Sequence, residues 1–219
     1  MLSGLVPKKK IDPFVVVGIG RDGSSYLFDL IGSHPDLQLD MMKSEIFHSS
    51  RGLKKHPKDI IPLLPCFKML AYQDYELNIS PYLKEYKYKV IFLERQNKLK
   101  QYISYCIASQ KDVWMKELST EKVTVNLGKM YEFLRSYREQ YRRNEDRLNM
   151  LPCLKVYYEQ LQGQRKLTLN LIYEFLSLSY HEPTTVLQKQ ETRDLSDIII
   201  NYDEVSESLK NGPLSLYLD

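Results

Sequence analysis

Apolar positions along the chain fall into two rhythms. Phe14-Val15-Val16-Val17 is an unbroken β-branched run, the pattern of a strand buried on both faces. KVIFL (89–93) repeats it between charged flanks, and CFKMLAY (66–72), entered through Pro62 and Pro65, predicts another strand. LKVYY (154–158) predicts a further one. Between these runs the apolar residues switch to three-four spacing. Leu27, Leu30 and Ile31 predict a helix that ends at Gly32-Ser33-His34-Pro35, with glycine at the cap and proline beyond it. Leu99, Tyr102, Ile103, Cys106 and Ile107 predict a helix over 98–109. Leu127, Met130, Leu134, Tyr137, Tyr141 and Leu148 place one apolar stripe along a long helix over 126–150, stopped by Pro152. Arg135, Arg138, Arg142, Arg143 and Arg147 flank the stripe and read as a solvated face with partners such as Glu139 and Glu145. Shorter helices are expected over 74–86, 167–178 and 196–209, while 36–62 and 110–125 lack a clean period. Strands alternating with helices predict a three-layer α/β domain, a central and mainly parallel sheet flanked by helices.

Length and charge bound the reading. The 219 residues suit one domain, 1–219, with 1–12 as a flexible arm. A formal charge of +3 permits an anionic ligand without the concentrated basic stripe of a nucleic-acid protein. Cys66, Cys106 and Cys153 are odd in number and far apart, with neither a metal-ligand spacing nor a disulfide framework. No stretch reaches the ~18 apolar residues of a membrane span, and the opening MLSGLVPKKK lacks a signal-peptide pattern. A soluble cytoplasmic protein without a metal is expected.

The chemistry concentrates where the first strand breaks into Gly18-Ile19-Gly20-Arg21-Asp22-Gly23-Ser24-Ser25 and a helix follows. Strand, glycine-rich turn and helix N-terminus make a phosphate cradle, because backbone N–H groups converge there with the positive end of the helix dipole. Gly18-x4-Gly23 fits the nucleoside-triphosphate loop, hence a P-loop-like fold, except that Ser24 stands where the lysine belongs. That lysine grips the β/γ-phosphates, so its absence argues against a triphosphate hydrolase.

A second piece follows KVIFL. Glu94-Arg95-Gln96-Asn97 leads into a helix that carries Ser104, nine positions beyond Arg95. The pair resembles the 3′-phosphate site of sulfotransferases that use 3′-phosphoadenosine 5′-phosphosulfate (PAPS), and the first loop resembles their 5′-phosphosulfate loop in its arginine version. SHPD (33–36), SEIF (44–47), FKMLAYQ (67–73), Val113-Trp114, Tyr157-Tyr158-Glu159-Gln160-Leu161 and Asn201-Tyr202-Asp203-Glu204-Val205 extend the likeness in order along the chain, toward bacterial-type and carbohydrate sulfotransferases. Asp22 departs from the family's Ser/Thr, and a carboxylate beside an anion is unfavourable unless it points away.

The resemblance implies a donor site of Arg21, Asp22, Gly23, Ser24, Ser25, Tyr26, Arg95 and Ser104, with Lys189 and Arg193 clamping the 3′-phosphate. It implies Glu45 as the base that deprotonates the acceptor, with His48 as competitor. Lys68 lies in an otherwise apolar strand, where an unpaired ammonium is costly, so its head is expected at the strand end beside the transferring group. The acceptor, a small molecule or a carbohydrate, is open. The competing readings are a P-loop nucleotide kinase or hydrolase, and a catalytically inert nucleotide-binding relative.

Overall fold

The computed structural model describes residues 11–37, 56–111, 121–185, 193–210 and 214–218. The arm over 1–10, SEIF with Glu45 and His48, Val113-Trp114 and Lys189 lie outside these residues. The described chain gathers into two compact units, Met1–Glu94 with Gln140–Thr185, and Arg95–Glu139 with Val186–Asp219.

The first unit holds the sheet. Strands β1 (Phe14–Gly18), β2 (Cys66–Leu70), β3 (Lys89–Glu94) and β4 (Cys153–Tyr157) are all parallel, in the order β2-β1-β3-β4. β1 is buried at every position and β3 throughout its centre, as expected of parallel strands covered on both faces. At the edge, β4 alternates instead: Leu154 and Val156 turn toward the core while Cys153 and Lys155 face out. The strand expected over 66–72 stops at Leu70, and α3 (Ala71–Leu77) begins at once because Gln73 turns back to accept the Leu70 N–H at 2.8 Å.

Helix α1 (Ser24–Gly32) packs Leu27, Phe28, Leu30 and Ile31 into a core shared with Phe14, Val16, Ile91 and Leu93 and with the inner face of α8 (Arg165–Phe175). The helix expected over 167–178 therefore starts earlier, and α7 (Tyr158–Gly163) precedes it. His34 of the SHPD turn is buried, its Nε2 on the Ser179 carbonyl at 3.0 Å while Nδ1 accepts the Asp36 N–H. Short helices α2 (Pro57–Ile60) and α4 (Ser80–Glu85) complete the connections.

The second unit is helical. α5 (Lys98–Lys111) contributes Leu99, Tyr102, Ile103 and Ile107 to a separate core. Met130 and Leu134 join them from α6 (Leu127–Leu148), with Leu195, Ile198 and Val205 from α9 (Leu195–Ile198) and α10 (Tyr202–Lys210). The single helix expected over 196–209 is thus two, separated at Ile199, whose bridge to Val123 breaks the helical path.

One arginine of the long helix departs from the solvated face. Arg147 donates from Nε to Asp74 Oδ2 at 2.6 Å and lies 5.1 Å from the Tyr75 ring centroid. Asp74 is fully buried and also accepts the Ser80 N–H at 2.6 Å. Removing one partner of such a pair strands the other's charge. Asp74→Ala is expected to lower stability by about 2–4 kcal/mol, read as a lower urea midpoint at unchanged slope. A midpoint within experimental error of the parent would show the pair contributes nothing.

Candidate functional site

In a parallel sheet of this order the connections diverge between β1 and β3, and ligands bind at the carboxyl ends of the strands beside that divergence. The loop 19–23 leaves β1 there.

The loop is held in shape from within. Arg21 adopts a left-handed conformation (φ 67°) that costs a non-glycine residue on the order of 1 kcal/mol. The turn around it is closed by the Asp22 N–H, which donates to the Ile19 carbonyl at 3.1 Å. The Asp22 side chain then folds back beneath the turn. Its Oδ2 accepts the Ile19 N–H at 2.5 Å and its Oδ1 the Ser24 N–H at 2.9 Å, and the residue is completely buried. Gly18 makes the space, since a Cβ there would lie 2.1 Å from Asp22 Oδ2. The departure from Ser/Thr at position 22 is therefore accommodated by turning the carboxylate inward, onto the loop's own amides.

Gly23 caps α1 with φ 94°, and a Cβ at that position would meet the Tyr158 ring at 2.5 Å. Tyr158 thus roofs the loop from the start of α7, a link that no spacing in the sequence signals. With the Ser24 N–H taken by Asp22, helix geometry leaves the N–H groups of Gly23, Ser25 and Tyr26 without intrahelical acceptors. Tyr26 packs its ring against the core, so its amide is the polar group it offers at the helix start.

Lys68 reaches the same place from β2. The residue is 3% exposed, and its Nζ donates to Ser25 Oγ at 2.8 Å. Register sets Lys68 beside Val16 on β1, and from there the side chain runs toward the end of the strand where α1 begins. The loop lacks a lysine of its own, and β2 supplies an ammonium to its second serine. Burial pushes the Asp22 carboxyl up to about 6, against the opposing pull of hydrogen bonds from Ser24 and Ile19 and of the Lys68 charge.

The other expected donor-site residues belong to the second unit. Arg95 directly follows the last residue of β3, and its carbonyl accepts from Lys98 Nζ. Asn97 Oδ1 caps α5 by accepting the Lys100 N–H at 2.8 Å. Ser104 stands on α5, about 9 Å along the axis from Lys98 at 1.5 Å per residue. Arg193 donates from Nη2 to the Glu121 carbonyl at 2.8 Å. The structure thus brings the loop and Lys68 together within one unit, and carries Arg95, Ser104 and Arg193 in the other. Among the described residues no group of His, Cys, Asp and Glu is arranged to hold a metal, and no helix is long and apolar enough to cross a membrane.

A sulfotransferase from Alicyclobacillus acidocaldarius superposes with a TM-score of 0.53, covering 96% of this chain and 94% of that one at 14% identity. The fold is that of the sulfotransferases. A mouse sulfotransferase solved in complex with PAP covers 96% of this chain and 88% of its own at 14% identity and a TM-score of 0.49. Nodulation protein H of Rhizobium tropici is 21% identical over 233 residues, 95% of this chain and 93% of its own length. No protein-family model matches the chain. The α/β architecture with a parallel sheet expected from the hydrophobic pattern is the architecture found.

The buried carboxyl makes stability depend on pH. Unfolded, Asp22 ionises near its ordinary value of about 4; folded, it keeps its proton to about 6. Between those values the folded state binds more protons, so stability falls as pH rises through the window. The loss sums to about 3 kcal/mol. Thermal melts at pH 4 to 6.5 are expected to show that fall, and Asp22→Asn to flatten it. A parent and variant with the same pH slope would contradict the assignment.

Proposed function

We propose that the chain is a sulfotransferase, moving a sulfuryl group from PAPS to a hydroxyl or amine acceptor. The observation that carries the reading is the Lys68 ammonium on Ser25, at the start of the helix that follows the glycine loop. An ammonium and a set of unfilled amide donors there form the electrostatic cradle that a departing phosphate requires. The sulfotransferase fold supports the reading, as do the matches at Arg95 and Ser104 with that family's 3′-phosphate site.

In transfer, the acceptor oxygen or nitrogen attacks sulfur in line. The bond between sulfur and the bridging oxygen breaks, and its electron pair leaves with the 5′-phosphate of 3′-phosphoadenosine 5′-phosphate (PAP). Lys68, Arg21 and the amides of Gly23, Ser25 and Tyr26 meet the charge that accumulates there. Ser24 hydrogen-bonds Asp22 through both its amide and its hydroxyl; on binding, the hydroxyl turns to the same anion. Arg95 and Ser104 take the 3′-phosphate, with Lys189 and Arg193 as a clamp; a guanidinium suits phosphate because it binds two oxygens at once. Glu45 removes the acceptor proton, and His48 is the competing base. A cytoplasmic setting, where free thiols persist, agrees with the cysteines at 66, 106 and 153, all unpaired.

The rival on this type of loop is a nucleotide kinase or hydrolase, which needs a triphosphate and Mg²⁺. Thermal unfolding with PAP against ATP plus Mg²⁺ separates the two. PAP at a hundred times its Kd is expected to stabilise by ~2.7 kcal/mol, and a larger shift with ATP would overturn the proposal. Turnover separates an enzyme from an inert relative. With PAPS and a responsive acceptor, Glu45→Gln is expected to slow transfer roughly 10²–10⁴-fold with PAP affinity intact. Undiminished transfer in that variant, with the loss falling on His48→Ala instead, would move the base to His48.

A further inference from the structure

We propose that Asp22 is a positioning residue whose carboxylate braces the glycine loop and takes up a proton when an anion binds at the start of α1. The proposal rests on the reading of this loop as an anion site and adds a role for the one residue that departs from the expected pattern.

Three features of the geometry carry it. The carboxylate is completely buried and bridges two amides of the loop, Ile19 N–H and Ser24 N–H, one on each side of the turn. Its seat exists only because Gly18 has no side chain. It therefore fixes the loop from inside, and cannot move out of the way of a ligand without breaking both bonds. The third feature is its position one residue before Gly23, whose amide opens the set of donors that an anion would use.

An anion arriving there puts a second negative charge beside the first, which is itself completely buried. The titratable groups on the elements around the carboxylate are Arg21 in the loop, Tyr26 and Asp29 on α1, Cys66 and Lys68 on β2, and Tyr158 and Glu159 on α7. Among these, Lys68 is the cation whose charge acts on Asp22, and its Nζ is already engaged with Ser25. An anion on the same serine draws on that ammonium too. Both effects favour the neutral acid, which still accepts one N–H through its carbonyl oxygen. Since burial already holds the group near neutrality, up to about 6 in the empty loop, a further rise on the order of 1–2 pH units brings it across pH 7.

The test is isothermal titration of PAP into the full chain at pH 7, in two buffers of different ionisation enthalpy, for the parent, Asp22→Asn and Asp22→Ser. Protons that PAP itself exchanges are common to all three. The parent is expected to take up about 0.5–1 proton more than either variant. Its PAP affinity should fall up to about tenfold more than theirs between pH 6 and pH 8. Equal uptake and parallel pH profiles, with PAP bound, would overturn the role of Asp22 and leave the nucleotide site standing. Failure of the parent to bind PAP would overturn the reading of the loop and the proposal with it. Should neither variant fold, inorganic sulfate decides on the parent alone, because it has no proton to exchange in this range: uptake on sulfate binding supports the proposal, and none overturns it.

Discussion

The loop after β1 must pass through a left-handed residue directly into the start of α1 without a lysine of its own, and the neighbouring side chains answer that constraint. Donors of like polarity repel, and a left-handed Arg21 adds strain. The Asp22 carboxylate offsets both by accepting two amides from below. Lys68 then brings an ammonium to the helix start from a neighbouring strand, where the loop itself carries only the guanidinium of Arg21. Asp22 is stabilised chiefly by the hydrogen bonds from Ser24 and Ile19, with a smaller pull from the Lys68 charge, and the buried Lys68 ammonium has Ser25 as its partner.

The scaffold around them is built for rigidity. β1 and β3 are buried on both faces and pair in parallel, and the loop leaves the carboxyl end of β1. α1 locks its apolar face into the core shared with α8, so the helix start is anchored by packing several residues away. Tyr158 closes over Gly23, which couples the turn after β4 to the turn after β1. This gives the Tyr157–Leu161 likeness a physical content: its second tyrosine packs over the glycine of the loop.

Much of this architecture was legible in the pattern of apolar residues. Uninterrupted β-branched runs announced buried parallel strands, and the switch to three-four spacing announced the helices between them. What the pattern missed has local causes. Gln73 ends β2 early through a side-chain bond to the backbone, which no periodicity records. Arg147 lies on the polar flank of its helix by spacing, yet a buried carboxylate seventy-three positions away draws it in. At the site, an acidic residue in the loop looked unfavourable for anion binding because the sequence cannot show which way a side chain points. The room beside Gly18 and the bonds to Ile19 and Ser24 supply that direction. Lys68 was legible from the cost of burying an ammonium, and its partner became clear only from the three-dimensional path to Ser25.

The central claim is that the glycine loop, with Lys68 beside it, receives the 5′ end of an adenosine bisphosphate. A crystal structure of the chain with PAP tests it most directly. The account predicts the 5′-phosphate within hydrogen-bond distance of the amides of Gly23, Ser25 and Tyr26 and of Lys68 Nζ, with Arg95 on the 3′-phosphate. Density for PAP away from the loop, or a 5′-phosphate that touches neither these amides nor Lys68, would contradict it.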